Sequence, residues 1–383
     1  MKKILVIHNR YRILGGEDIA VENEVNILRK HFDVKTLYFN NNIDSYFKQI
    51  IAFLTNKNKK SMDQLSAIVS EFKPDVAYVH NTWFKASLGI FDVLSKNNVK
   101  TLLKIHNFRY DCTRFYLSKN HLNKNEPCPK CGLDRKSTGI INNYFSESFL
   151  KTLFVLRYGK KYFQLLEKSN IKLLVLTSFH KEFLLSLGIT KGRIKVFPNY
   201  LDISENKNTD IEEDYIVYAG RVSKEKGLPE LLKTFVDSDT SIKRIKIIGE
   251  GPLLKSLKKE YEKNTNIEFI GILSNSDVHQ IIYNSKAVIT ATKLFEGQPT
   301  LLCEASFLGI PSIFPKFGGI SEFFPKTTDF SFEQFNYNDL VNKINLLDDE
   351  KLVKQEGLNN QEFIKDYLNE GKLINTFQEI INE

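Results

Sequence analysis

The stretch YAGRVSKEKGLPELL, residues 218–232, decides the fold. A β-rich run ends on Gly220–Arg221, a polar loop carries Lys226–Gly227, and a helical period begins directly afterwards. A strand feeding a glycine-bearing loop and then a helix is the half-unit of a parallel α/β sheet. The same alternation continues outward. On the amino-terminal side lie KILVIH, VKTLYF, DVAYVH, KTLLKIH and IKLLVL; with YIVYAG, the carboxyl side holds RIKIIG, IEFIG and AVIT. The polar segment 199–214 separates the two series and reads as a linker. Two doubly wound domains are therefore expected, over 1–198 and 215–350, facing one cleft. The helical stretch 351–383 is placed as a return to the first domain. Ligands of open parallel sheets bind beyond the carboxyl ends of the strands. The positions to inspect are then His8 to Gly16, His80–Asn81, His106, Gly220–Arg221, Gly249 to Gly251 and Thr290 to Glu296.

A second stretch, FEGQPTLLCEASFLG (295–309), carries two glutamates eight positions apart in apolar surroundings. Pro299 suits the first turn of a helix, and Gly309 and Pro311 end it. Leu301, Ala305 and Leu308 form the expected core stripe, with Glu304 on its edge and Glu296 in the entry loop. A half-buried carboxylate needs donors, which ligand hydroxyls can supply; the alternative is a plain helix with one rim glutamate and one loop glutamate. The Gly297–Gln298–Pro299 entry presents the amides of Thr300 and Leu301 at a positive helix end suited to phosphate. Arg221 and Lys226 complete a clamp for a diphosphate, one as a fork and the other as a point charge.

The chain has 383 residues with 42% hydrophobic content, enough for two packed domains. No apolar run approaches the ~20 residues that span a bilayer. The apolar run Ile4 to Ile7 is too short for a signal peptide, and with four cysteines a reducing cytoplasm is expected. Residues 1–200 hold 33 Lys and Arg against 16 Asp and Glu, a net of +17, and the remainder carries −9. A half so basic implies an anionic partner: a phospholipid surface, a phosphorylated acceptor or nucleic acid. Neutral drift in surface lysine is the alternative. Nucleic acid is set aside because the aromatic-and-basic platform of such modules is missing.

Seven pieces in order carry a resemblance along nearly the whole length. They are Gly15–Gly16–Glu17, HNFR (106–109), TSFHKEFLLSLGITKGRIKVFPN (177–199), AGRVSKEKG (219–227), GEGP (249–252), the pair Glu296 and Glu304, and FGGISE (317–322). Together they resemble the family-4 retaining glycosyltransferases of the GT-B fold, which consist of two Rossmann-like domains. The resemblance implies a metal-independent hexosyltransferase using a UDP- or GDP-sugar and a glycan or lipid-linked acceptor, in surface polysaccharide synthesis. It places Arg221 and Lys226 on the donor diphosphate, Glu304 on the ribose hydroxyls, Glu296 on the transferred sugar and His106 beside the reacting centre. Gly15 and Gly16 let backbone approach the phosphates, and Gly251 joins the donor site. Asn107, Tyr200 and Gln298 depart from the family's usual residues. A nucleotide-sugar epimerase of the same fold and a non-enzymatic polyanion-binding protein are the competing readings.

No cofactor is expected for catalysis. DSDTS (237–241) lies between a helix and the following strand, so it reads as a turn rather than as a metal-binding Asp-x-Asp. Cys112, Cys128 and Cys131 have the composition of a structural zinc site with His106 or His121 as a fourth ligand, the alternative being three reduced thiols. Residues 149–168 read as a helix with Val155, Leu156, Gly159, Tyr162, Phe163 and Leu166 inward and Arg157, Lys161 and Lys168 outward. Leu150, Leu153 and Phe154 precede those cations on the outer side. That is the pattern of an interfacial helix, giving a cytoplasmic protein attached peripherally to an anionic membrane.

Overall fold

The computed structural model describes residues 1–11, 15–41, 46–108, 110, 149–203 and 214–383. The chain divides into two compact units, with boundaries at Leu201/Asp202 and Asn369/Glu370. Of the described residues, the first unit takes those before Asp202 together with Glu370–Glu383, and the second takes those from Asp202 to Asn369.

The first unit contains β1 (Lys3–Arg10), α1 (Gly16–Arg29), β2 (Asp33–Asn40), α2 (Tyr46–Thr55), α3 (Lys59–Phe72), β3 (Val76–Val79), α4 (Gly89–Lys96) and β4 (Lys100–Ile105). These are followed by α5 (Phe149–Lys168), β5 (Lys172–Val175), α6 (Ser178–Ser186) and β6 (Ile194–Val196). Its six strands pair in the order β2-β1-β3-β4-β5-β6, each parallel to its neighbour. The second unit begins with β7 (Tyr215–Ala219), α7 (Leu228–Asp237), β8 (Arg244–Ile248), α8 (Leu254–Glu260), β9 (Ile267–Gly271), α9 (Asn275–Tyr283) and β10 (Ala287–Ile289). It continues with α10 (Thr300–Phe307), β11 (Ser312–Pro315), β12 (Ser331–Phe332), α11 (Tyr337–Asn345) and α12 (Glu350–Tyr367). This sheet is also all parallel, in the order β12-β11-β10-β7-β8-β9. Continuous apolar runs such as Ile4–Leu5–Val6–Ile7 are buried on both faces, as a parallel sheet covered by helices requires.

The last helix, α13 (Glu370–Asn382), belongs to the first unit. Leu373, Ile374, Phe377, Ile380 and Ile381 enter that unit's core, where the Phe377 ring meets Phe32, Tyr78 and Phe197. Its carboxyl end draws lysines from the starts of the strands. Lys2 Nζ and Lys100 Nζ donate to the Ile381 carbonyl at 3.2 and 2.9 Å, and Lys172 and Lys195 pair with the Glu383 carboxylate at 2.8 and 2.5 Å. Cations at a helix carboxyl end answer its dipole. Hydrogen bonds from Lys172 and Lys195 hold the Glu383 carboxyl down to about 2. Part of the basic excess of residues 1–200 therefore serves the chain's own closing helix.

Candidate active site

The expected donor residues of the second unit gather at the carboxyl edge of its sheet. Gly220 N–H donates to the Ile248 carbonyl (3.0 Å) and Val222 N–H to the Glu250 carbonyl (2.9 Å), so the loops after β7 and β8 run side by side. That approach requires glycine. A Cβ on Gly249 would stand 2.1 Å from the Gly220 carbonyl oxygen, and one on Gly251 would stand 2.3 Å from that of Val222. Gly251 thus shapes the loop beside Arg221. Gly227 has φ +70° and ends a 3-10 turn over Lys224–Lys226; a Cβ there would lie 1.9 Å from the Ala291 carbonyl oxygen. This close contact seats the turn against the segment leaving β10.

As a result Lys226 Nζ reaches Glu296 Oε1 at 2.6 Å, with both side chains half-buried. The Thr292 hydroxyl donates to the same carboxylate oxygen at 2.9 Å. Below them the buried Tyr218 O–H donates to the Arg221 carbonyl at 2.9 Å. Burial, then the charges of Glu296 and Glu225, push this phenol well up, so it remains a donor at any physiological pH. On the other side Lys293 is buried and pairs with Glu230, while its N–H donates to the Glu225 carbonyl. The loop is held at both ends.

Helix α10 starts after Pro299, as expected, and places Thr300 and Leu301 in its first turn, whose amides have no acceptor within the helix. Its buried face differs from the expected stripe. Leu302, Cys303, Ala305 and Ser306 are buried, whereas Leu301 and Leu308 are only partly covered. The helix is covered by β10 and β11 on one side and α12 on another, so adjacent pairs of positions are buried rather than a single row. Glu304 is half-buried, with Oε2 3.6 Å from Nε2 of His279 on α9. Sequence reasoning missed His279, which lies in no motif; Thr292 falls within the inspected span Thr290 to Glu296, but without a role assigned to it. Gly297 is buried in the entry loop. Phe317 stacks on Phe295 with ring centroids 4.5 Å apart, placing the FGGISE loop beside Glu296.

In the first unit, His106 follows β4 and is half-buried. Its Nε2 lies 2.9 Å from His80 Nδ1, with the two rings stacked. Burial lowers the pKa of both well below the usual imidazole range; the charge of Lys104 lowers His106 further, and the neighbouring His106 does the same to His80. Both rings are neutral. His80 Nε2 is buried without a partner. The tautomer that leaves no buried N–H stranded has His80 donating from Nδ1 and His106 carrying its own proton on Nδ1. Lys104 is wholly buried under this pair and is neutralised by Glu24, whose other oxygen accepts from the Tyr78 hydroxyl at 2.7 Å. Gly15 and Gly16 open α1, but the Gly15 amide is occupied: it donates to Asp18 Oδ2 at 2.9 Å. A phosphate at this loop would have to use Gly16. Burial raises the Asp18 carboxyl, yet hydrogen bonds from His8, Gly15 and Tyr11 win and hold it below the ordinary value.

Arg157, Lys161 and Lys168 of α5 are exposed, and Gly159, Tyr162, Phe163 and Leu166 are buried as expected, joined by Tyr158. The side chains of Leu150, Leu153, Val155 and Leu156 lie outside the described residues, and Phe154 is half-buried rather than outward. DSDTS connects the end of α7 to β8, away from the carboxyl edge of the sheet. Cys112, His121, Cys128 and Cys131 lie outside the described residues, and among the described residues no metal-binding cluster occurs.

The buried neutral imidazoles give the fold an acid limit. His180, with Nε2 2.9 Å from the Tyr110 hydroxyl, is depressed by burial to about 3. For His80, His106 and His180 the folded value lies below the unfolded one, so their contribution is complete above about pH 6.5 and is lost as pH falls towards the folded values. Each contributes a slope of about 1.4 kcal/mol per pH unit in that window. Urea unfolding followed at neutral pH and about one unit below pH 6.5 is expected to show a clear drop in stability. A flat profile would contradict the burial of these rings.

Two α/β units, each with an all-parallel sheet, make up the GT-B fold. Residues 201–375 match the family described as "Glycosyl transferases group 1". "O-antigen biosynthesis glycosyltransferase WbnH" and "Probable O-antigen biosynthesis glycosyltransferase WbiN" of Escherichia coli are each 28% identical over 174 residues, 45% of this chain. The matched region spans about half of those relatives, 48% of their length. Similar solved structures include Anabaena Alr3699/HepE in complex with UDP-glucose (TM-score 0.69, 13% identity, all of both chains). Sucrose-phosphate synthase from Thermosynechococcus elongatus (TM-score 0.71, 15% identity, 100% of this chain and 98% of that one) is another. The apo lipopolysaccharide outer core galactosyltransferase WaaB has TM-score 0.64 and 17% identity over 98% of this chain and 99% of its own. At these identities the solved structures speak for the fold.

Proposed function

We propose that the chain transfers a sugar from a UDP-sugar to a glycan or lipid-linked acceptor in O-antigen-type surface polysaccharide synthesis, with retention of anomeric configuration and without a metal ion. The observation carrying this reading is the Lys226–Glu296 pair, 2.6 Å apart at the end of β10 within the matched region. A cation and a carboxylate set side by side suit a donor whose diphosphate and sugar are covalently adjacent. In the reaction the bond from the anomeric carbon to the diphosphate breaks and an acceptor oxygen bonds to that carbon on the same face. The acceptor's proton passes to the departing phosphate. Arg221, Lys226 and the amides of Thr300 and Leu301 neutralise the charge that develops on the leaving group. Glu304 takes the ribose hydroxyls, and Glu296, held by Thr292, the transferred sugar. That Alr3699/HepE is described in complex with UDP and with UDP-glucose favours uridine over guanosine. A thermal-shift screen with UDP-, GDP- and ADP-sugars tests the reading, since a bound donor raises stability by mass action. Stabilisation by a UDP-sugar is expected, and a screen without any response would overturn it.

A membrane-bound acceptor agrees with the surface of the first unit. Helix α2 exposes Ile50, Ile51 and Leu54 and lies against α5, which exposes Arg157, Lys160, Lys161 and Lys168. Among the described residues no helix is long and apolar enough to cross a membrane, so attachment would be peripheral. Each cation near an anionic leaflet contributes about 1 kcal/mol, so attachment is salt-sensitive. Arg157→Glu/Lys161→Glu is expected to weaken sedimentation with phosphatidylglycerol-containing vesicles at low salt. Equal binding by variant and wild type would remove α5 from the account.

A further inference from the structure

Lys226 and Glu296, whose side chains meet at 2.6 Å, ride on two different loops, and a buried lysine ties those loops together. Lys226 belongs to the 3-10 turn that follows β7, and Glu296 to the segment leaving β10. Lys293 stands on that second segment, just before Glu296, and is only 7% exposed. Its backbone N–H donates to the Glu225 carbonyl at 3.0 Å, on one flank of Lys226. Its ammonium pairs with Glu230 in the first turn of α7, on the other flank. The lysine therefore grips the Lys226 turn from both sides. Its neighbour Thr292 aims the carboxylate: the Thr292 hydroxyl accepts from Leu294 N–H at 3.3 Å and donates to Glu296 Oε1 at 2.9 Å. The Thr292 carbonyl accepts from Gln334 Nε2 at 3.4 Å, so this short run is braced from the side of α11 as well.

The chemistry of the Glu230–Lys293 pair points away from ligand binding and away from stability. An ammonium covered this deeply and matched by its own carboxylate does not reach a diphosphate in the cleft. Nor is such a pair a good way to stabilise a fold. Taking the ammonium out of water costs about as much as the pairing returns, and apolar side chains of similar volume are often at least as stable in its place. Glu230 adds to that cost, because its Oε2 is buried without a partner. What a charged pair supplies that two apolar side chains do not is direction. Glu225 and Gly227 already touch the second loop through backbone, at the Lys293 N–H and the Ala291 carbonyl. The side-chain pair carries the tie onward into α7, so the turn bearing Lys226 is fixed against the helix that follows it.

We propose that Glu230 and Lys293 are a positioning pair: they hold the Lys226 turn and the Glu296 loop together and so set where the diphosphate cation stands relative to the sugar carboxylate. The inference rests on the glycosyltransferase reading, in which those two groups act on adjacent parts of one donor. The full chain is compared with Glu230→Leu/Lys293→Met, Glu230→Gln and Lys293→Arg in four measurements. These are urea unfolding, hydrogen exchange without ligand, calorimetry with UDP, and release of UDP from UDP-glucose, UDP-galactose and their N-acetylated counterparts. The apolar double variant is expected to keep its urea midpoint and to exchange faster in segments 222–228 and 290–298. Its UDP affinity stays close to wild type while kcat for UDP release falls about 10- to 100-fold, the effect of a misplacement of about 1 Å. Lys293→Arg keeps the charged contact and recovers most of that turnover. Glu230→Gln, which preserves shape, carries the same exchange and turnover readouts should the double variant not fold. Wild-type exchange in both segments, full turnover despite faster exchange, or a large fall in the urea midpoint would overturn the positioning role. Faster exchange in the variant, with no UDP bound or released by the wild type, would instead overturn the donor reading and leave the tie between the loops standing.

Discussion

Glu296→Gln is expected to bind UDP at least as well as wild type while losing about 100- to 1000-fold in turnover. The carboxylate is paired with Lys226 at 2.6 Å, so neutralising it releases that cation to the diphosphate and does not weaken the nucleotide. Under the proposed reaction, what disappears is the charge facing the sugar, and such a loss falls on kcat rather than on ground-state binding. Glu304→Ala behaves oppositely. Its carboxylate stands on α10, 3.6 Å from His279, and under the proposed ribose assignment its removal deletes the acceptor for the ribose hydroxyls. UDP affinity is expected to fall about 100-fold, since hydrogen bonds to a charged group contribute about 1.5–3 kcal/mol each. Calorimetry with UDP beside turnover of the donor separates the two variants, and unchanged UDP affinity in Glu304→Ala would sink the ribose assignment.

The second large effect concerns stability. Glu24→Ala leaves Lys104 charged and unpaired in the core and deprives the Tyr78 hydroxyl of its acceptor. Burial already lowers the Lys104 pKa, an effect that Glu24 opposes. Breaking such a pair costs about 3–5 kcal/mol, whereas replacing both partners with apolar groups is often neutral. Urea denaturation of Glu24→Ala and of Glu24→Leu/Lys104→Met is expected to show a severe loss in the first and recovery in the second. Equal losses in both would mean that the charges themselves stabilise the fold.

Much of the fold was readable because the strands of a parallel sheet are continuous apolar runs followed by glycine or polar loops. All nine quoted runs contain strands of the structure. The strands left out, β6, β11 and β12, have three, four and two residues. Nothing in KTLLKIH marks Lys104 as buried, because its depth depends on Glu24, 80 residues away. The basic excess suggested an outside partner, and only the structure shows Lys2, Lys100, Lys172 and Lys195 turned to α13.

Motifs marked Arg221, Lys226, Glu296 and Glu304 in the sequence, and the structure sets Lys226 against Glu296. The site was not readable where its members act by juxtaposition. Nothing in the sequence brings His279 to Glu304 or His80 to His106, because each pair joins different loops or helices, whereas Thr292 lies four residues from Glu296 in one loop.

The most direct test of the account is calorimetric titration of the full chain with UDP in excess EDTA, alongside Arg221→Ala/Lys226→Ala. The account predicts single-site binding that survives the chelator and is lost in the double variant, because fixed cations hold the diphosphate. Binding that vanishes with EDTA and returns with magnesium or manganese, or that persists in the double variant, would contradict it.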